Sequence, residues 1–88
     1  MEDEIISINF ENELDLHHFH PKDVKLLLLD FIGMAREKGK KSVRIVHGKG
    51  KSVIKGITIR ELKKNKNIVS FHDEPGNWGA TIAIIRHK

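Results

Sequence analysis

Between His20 and Gly39 the apolar side chains Val24, Leu27, Leu28, Phe31 and Ala35 follow the i, i+3, i+4, i+7, i+11 spacing of one helix face. On either side the period changes. ELDLH (13–17) alternates polar and apolar, which predicts a strand with Leu14 and Leu16 inward, and SVRIV (42–46) is a short β-branched run that reads as a buried strand. A helix joining two strands constrains the fold strongly, because the crossover is right-handed and the strands it links are parallel. Pro21 suits the first helical turn, Asp23 the positive end of the helix dipole, and Gly39 after Lys38 supplies a stop.

The remainder continues the alternation. SVIKGITIRELKKN (52–65) carries Val53, Ile54, Ile57 and Leu62 at helical spacing, with Gly56 costing about 1 kcal/mol in its interior and leaving room for a kink. NIVSFH (67–72) and ATIAIIR (80–86) read as two further strands, joined through EPGNWG, a turn built from Pro75, Gly76, Asn77 and Gly79. The expected architecture is an α/β two-layer sandwich in the order βαβαββ: a mixed, mostly parallel four-stranded sheet with both helices on one face and an antiparallel closing hairpin. Residues 13–88 form this domain. Residues 1–12 form an acidic arm or an edge strand, in which EIISINF (4–10) sets Ile6 and Ile8 out of phase.

At 88 residues the chain supports one core, burying roughly 60–70% of the surface exposed by its unfolded form. Cysteine is absent, which excludes disulfides and thiolate zinc sites and permits a reducing compartment. The start MEDEIISINF has no apolar signal core, and no run of about 18 apolar residues follows. A soluble cytoplasmic protein with no membrane partner is expected.

The net charge of +4 conceals an asymmetry: residues 1–35 hold two lysines against eight acids, whereas residues 36–66 hold twelve lysines or arginines against Glu37 and Glu61. Such a cationic block attracts polyanions, nucleic acid above all, since each phosphate neutralised releases counterions. A solvated lysine surface would have the same composition.

LDLHHFHP (14–21) places an aspartate and three histidines within six residues where a strand gives way to a helix. Strand alternation sets Asp15 and His17 on one face, about 6.6–7 Å apart and opposite the leucines. There an imidazole can exchange protons near neutral pH while a carboxylate orients it. The alternative is a polar strand surface with no catalytic duty. His17, His18 and His20 diverge as the strand leaves for the helix, so no metal site is expected.

HGKG (47–50) follows a strand and precedes a helix. Its amides can cluster around a backbone phosphate, Gly48 and Gly50 permit positive φ, and Lys49 adds a charge. It lacks the GK[ST] ending of a P-loop, and a plain tight turn is the other reading. Lys51 and Lys55 extend the cationic track along the helix. Trp78, the only tryptophan, lies between glycines in GNWGAT, where it can stack on an unpaired base or plug the core.

Together, LDLHHFHPKDVKLLLLDFIGMAREKGKKSVRIVHGKG and GNWGATIAIIR resemble the Smr (small MutS-related) domain family, from Leu14 to Arg86. That family shows an LDLHG motif, a helix with an early acid and a late glycine, an HGxG or TGxG loop, and a GxxGAT-like strand. His18 stands where the family has glycine. The resemblance implies a βαβαββ sandwich similar to the C-terminal domain of translation initiation factor three. It also implies nucleic-acid endonuclease activity on DNA or RNA, including messenger RNA on stalled ribosomes. By position, Asp15 and His17 match the family's cleaving DxH pair; Gly48, Lys49 and Gly50 match its substrate loop; and His47 matches that loop's variable first residue, with an assisting role.

For RNA, the 2′-OH attacks the adjacent phosphorus while His17 takes or relays the proton and Lys49 with the loop amides offsets phosphorane charge, without metal or other cofactor. DNA lacks that hydroxyl, so its cleavage calls for a divalent ion held by several carboxylates. Asp15 is the one acid placed in the site, with Asp73 and Glu74 distant, so the expectation favours metal-independent cleavage of single-stranded or ribosome-associated RNA. The alternatives are a non-catalytic nucleic-acid or ribosome-binding module and a metal-dependent DNA nickase.

Overall fold

The structure is a computed structural model that describes residues 13–48 and 53–87, apart from the side chains of Asn77 and Trp78. The expected arm or edge strand at 1–12 lies outside the described residues, as do Lys49, Gly50 and Lys51. The elements are β1 (Glu13–Asp15), α1 (Pro21–Glu37), β2 (Ser42–Val46), α2 (Val53–Lys64), β3 (Ile68–Glu74) and β4 (Asn77–Ile85). No described helix is long and apolar enough to cross a membrane.

The order βαβαββ is as expected, but the sheet requires a correction. Its strand order is β1-β2-β4-β3, with β1 parallel to β2 and β4 antiparallel to both neighbours. Three strands therefore point one way, yet only one of three pairings is parallel. The last strand returns along β3 and inserts between β2 and β3, converting what would be a second parallel contact into two antiparallel ladders.

Helix α1 begins on an imidazole cap: His20 Nδ1 accepts from Lys22 N–H at 3.2 Å, satisfying one of the amides that a helix start leaves unpaired. It ends at a Schellman motif, with Lys40 N–H donating to the Ala35 carbonyl and Gly39 N–H to the Arg36 carbonyl, both at 3.0 Å. This requires Gly39 at φ +76°, a conformation cheap only without a Cβ. Val24, Leu28, Phe31, Ile32 and Ala35 face inward.

Helix α2 runs unbroken through Gly56. Val53 is not on its inner face as expected, being 68% exposed. The buried stripe consists of Thr58, Glu61 and Leu62, with Ile54 and Ile57 partly buried. Val53 and Ile54 are about 100° apart around the axis and cannot share one narrow face. Both helices contribute to a single apolar cluster with Leu16, Val43, Ile45, Ile68, Ala83 and Ile85, so they cover the same face of the sheet.

On the opposite face Arg44 of β2 holds Glu74 through two hydrogen bonds of 2.8 and 3.0 Å and Glu13 at 3.1 Å. This fork ties together β1, β2 and β3 and removes one guanidinium from the cationic block.

Candidate active site

Three stretches distant in sequence meet where β1 and β2 end. Leu16 N–H donates to the Val46 carbonyl at 2.7 Å, extending the β1–β2 ladder by one bond, and a turn follows, with Phe19 N–H donating to the Leu16 carbonyl at 3.0 Å. His17 leaves the strand here. Its backbone N–H donates to Asp15 Oδ1 at 3.1 Å, and its ring Nδ1 forms a short hydrogen bond to the same oxygen. Both side chains are open to solvent, at 40% and 48% exposure. His18 stacks obliquely on His17, with ring centroids 3.7 Å apart. Partial burial alone would raise the Asp15 carboxyl pKa. The His17 hydrogen bonds, with the charges of His17 and His18, outweigh it and hold the group below its ordinary value.

The second stretch is the start of HGKG. Gly48 adopts φ +96°, and a Cβ there would lie 3.6 Å from His17 Cβ, so the loop's backbone passes directly beside His17. The third is Gly79 of β4, whose carbonyl accepts from both His47 N–H at 2.9 Å and Gly48 N–H at 3.0 Å. These bonds fix the loop's first two residues against the sheet.

His47 itself is buried, with 2% exposure. Its Nδ1 lies 3.2 Å from the Gly48 carbonyl and its Nε2 2.8 Å from Thr81 Oγ1. A carbonyl can only accept, so Nδ1 carries the proton and Nε2 accepts from the Thr81 hydroxyl. Burial lowers the His47 pKa, opposed by the Gly48 bond; nearby Lys55 lowers it further and Asp73 raises it. Asp73 pairs with Lys55 Nζ at 3.6 Å. Lys55 thus lies near His47 with an acidic partner.

Asp15, His17, His47, Gly48 and Lys55 are therefore gathered at one corner, while Asp73 and Glu74 are engaged by Lys55 and Arg44. Trp78 lies on β4, although its side chain is outside the described set. Among the described residues no group of three or more histidines or acids could hold a metal ion. Sequence reasoning missed Gly79 and Thr81. Both sit in GNWGAT, and the period-two positions Thr81, Ala83 and Ile85 would have marked Thr81 as an inward polar residue.

The fold and corner together define a small two-layer α/β module with a solvent-facing aspartate–histidine pair beside a glycine loop. The chain belongs to the Smr domain family, whose profile matches residues 14–86. The ribosome rescue factor SmrB of Yersinia enterocolitica is 32% identical over 72 residues, covering 82% of this chain and 41% of that protein. The endonuclease MutS2 of Staphylococcus carnosus is 30% identical over 77 residues, covering 84% and 10%. The chain thus spans less than half of either relative. The Smr domain of Thermus thermophilus MutS2 superposes with TM-score 0.80 at 28% identity, covering 85% of this chain and 98% of that one. The stand-alone Escherichia coli protein YdaL shares the fold, with TM-score 0.80 at 22% identity over 86% of this chain and 65% of that one.

Proposed function

We propose that this domain binds nucleic acid and is an endonuclease that cuts single-stranded or ribosome-associated RNA without a metal. The observation that carries this reading is the exposed His17 imidazole, bound at Nδ1 by Asp15 and flanked by the Gly48 backbone. With Nδ1 engaged, Nε2 is the nitrogen left to face a substrate, and the Asp15 carboxylate stabilises the ring as it gains charge. Nε2 takes the proton of a 2′-OH. The O2′–P bond forms, the P–O5′ bond breaks, and the proton held on Nε2 is relayed to the departing 5′ oxygen, leaving a 2′,3′-cyclic phosphate and a 5′-hydroxyl with His17 neutral again.

His47 enters as a positioning residue: buried and bonded to Thr81 and Gly48, it sets the loop while His17 moves the proton. Lys49, Gly50 and Lys51 complete the phosphate contact, and Trp78 stacks on an unpaired base. The names of the relatives support the reading, one a ribosome rescue factor and the other an endonuclease.

The test incubates wild type and His17→Ala with labelled single-stranded RNA in excess chelator and resolves the product ends. Cyclic-phosphate ends that vanish in the variant uphold the proposal. Binding without cleavage by both proteins makes the domain a docking module, and nicking of supercoiled DNA only with added manganese or magnesium makes it a DNA nuclease.

A further inference from the structure

A concavity of about 360 Å³ opens between α1, the end of α2 and the following turn, and it shares no lining residue with the His17 corner. Lys25, Lys64 and Lys66 line it with Leu29 and Glu61. Glu61 is the unusual member. Its side chain is 7% exposed, its one ion-pair partner among the described residues is Lys64 Nζ at 3.6 Å, and that is too long for a hydrogen bond. No described residue donates a hydrogen bond to its oxygens and neither oxygen is fully sealed from solvent, so the carboxylate keeps acceptor capacity that a ligand with donors can use.

The lining selects the ligand's chemistry. Three lysines repel a cation, and the carboxylate repels a bare anion. The fitting ligand is anionic at one end and offers N–H donors at the other. Leu29, 42% exposed, adds an apolar wall for a flat ring. We propose that this concavity binds a guanine nucleotide, with guanine N1–H and N2–H donating to the two Glu61 oxygens and the phosphate held by the lysines. A guanine presents two adjacent donors to a carboxylate, whereas adenine and cytosine present one exocyclic amino group beside an acceptor and uracil presents one N–H between two carbonyls. The side-chain amide nitrogens of Asn65 and Asn67, which also line the concavity, can donate to guanine O6. The nucleotide is either free or an unstacked residue of an RNA strand. The proposal stands independently of any reaction at His17.

The experiment titrates isotope-labelled protein with 5′-GMP, 5′-UMP and inorganic phosphate, following backbone amide shifts by NMR. GMP is expected to move Leu29, Asn65 and Asn67 and to bind at least ten-fold more tightly than UMP or phosphate. Glu61→Gln, which keeps the volume, should erase that preference while leaving the phosphate response. Leu29→Ala, at an exposed position, should weaken GMP alone. Equal responses to all three ligands, or GMP shifts confined to the neighbourhood of Gly48, would overturn the proposal. A U-only hexamer compared with one containing a single G separates the two sources: a gain over GMP identifies a strand residue, and no gain identifies the free nucleotide.

Discussion

Two histidines on either side of Gly48 are set in opposite surroundings. His17 stands in solvent, its ring held by one carboxylate oxygen. His47 is buried, with both ring nitrogens bonded inside the fold. The difference teaches that accessibility and the state of the second ring nitrogen, more than proximity to the loop, separate a histidine open to an incoming molecule from one bonded into the fold.

The contrast is broken most directly by removing each ring. On the proposed function, His17→Ala should lower RNA cleavage by about 10²–10⁴-fold, with a melting temperature near wild type because little packing is lost; single-turnover kinetics and a thermal melt measure the pair. His47→Ala should instead cost about 2–4 kcal/mol of stability, from a cavity and a stranded Thr81 hydroxyl. Urea unfolding reads this directly, and a stable His47→Ala protein with no cleavage would move His47 into the chemistry. Gly48→Ala should cost about 1–2 kcal/mol, because φ +96° is strained for a residue with a Cβ. Its Cβ would meet His17 at an ordinary 3.6 Å, so backbone strain carries the cost, and cleavage should fall by more than the lost stability explains.

Acid gives the smallest separation. Folding depresses the His47 pKa, so the unfolded chain binds more protons at that site. This contribution is full above about pH 6.5 and declines as the pH falls from there toward the folded value. Melting curves from pH 7.5 to 5 should show the decline, and His47→Gln should flatten it. The depressed Asp15 carboxyl acts lower, with stability present above about pH 3.9 and lost as the pH falls through its folded value.

Local patterns were legible in the sequence. The 3.6-residue spacing located α1, and the β-branched run matched β2 at Ser42–Val46; the strand expected at 13–17 ends at Asp15, so the turn after Leu16, and not strand alternation, brings the His17 ring onto Asp15. Non-local consequences were not. The insertion of β4 beside β2 depends on competition among pairings that no window of sequence contains. Arg44 counted only as one charge of the cationic block and Lys55 as part of its track until the sheet brought Glu13, Glu74 and Asp73 to them. Glu61 looked like one acid in a lysine-rich helix, and its burial follows only from α1 packing against α2. His47 gave the same local signal as an accessible histidine because its partner Thr81 lies 34 residues away.

The central position of β4 bears on how the domain is made. β2 and β3 both precede in sequence the strand that joins them, and a chain lacking the residues from 77 onward has no Gly79 carbonyl to fix the loop beside His17. Loop closure over that span must precede any reward from pairing. The sheet is thus completed by β4, and the loop beside His17 depends on that strand for its anchor.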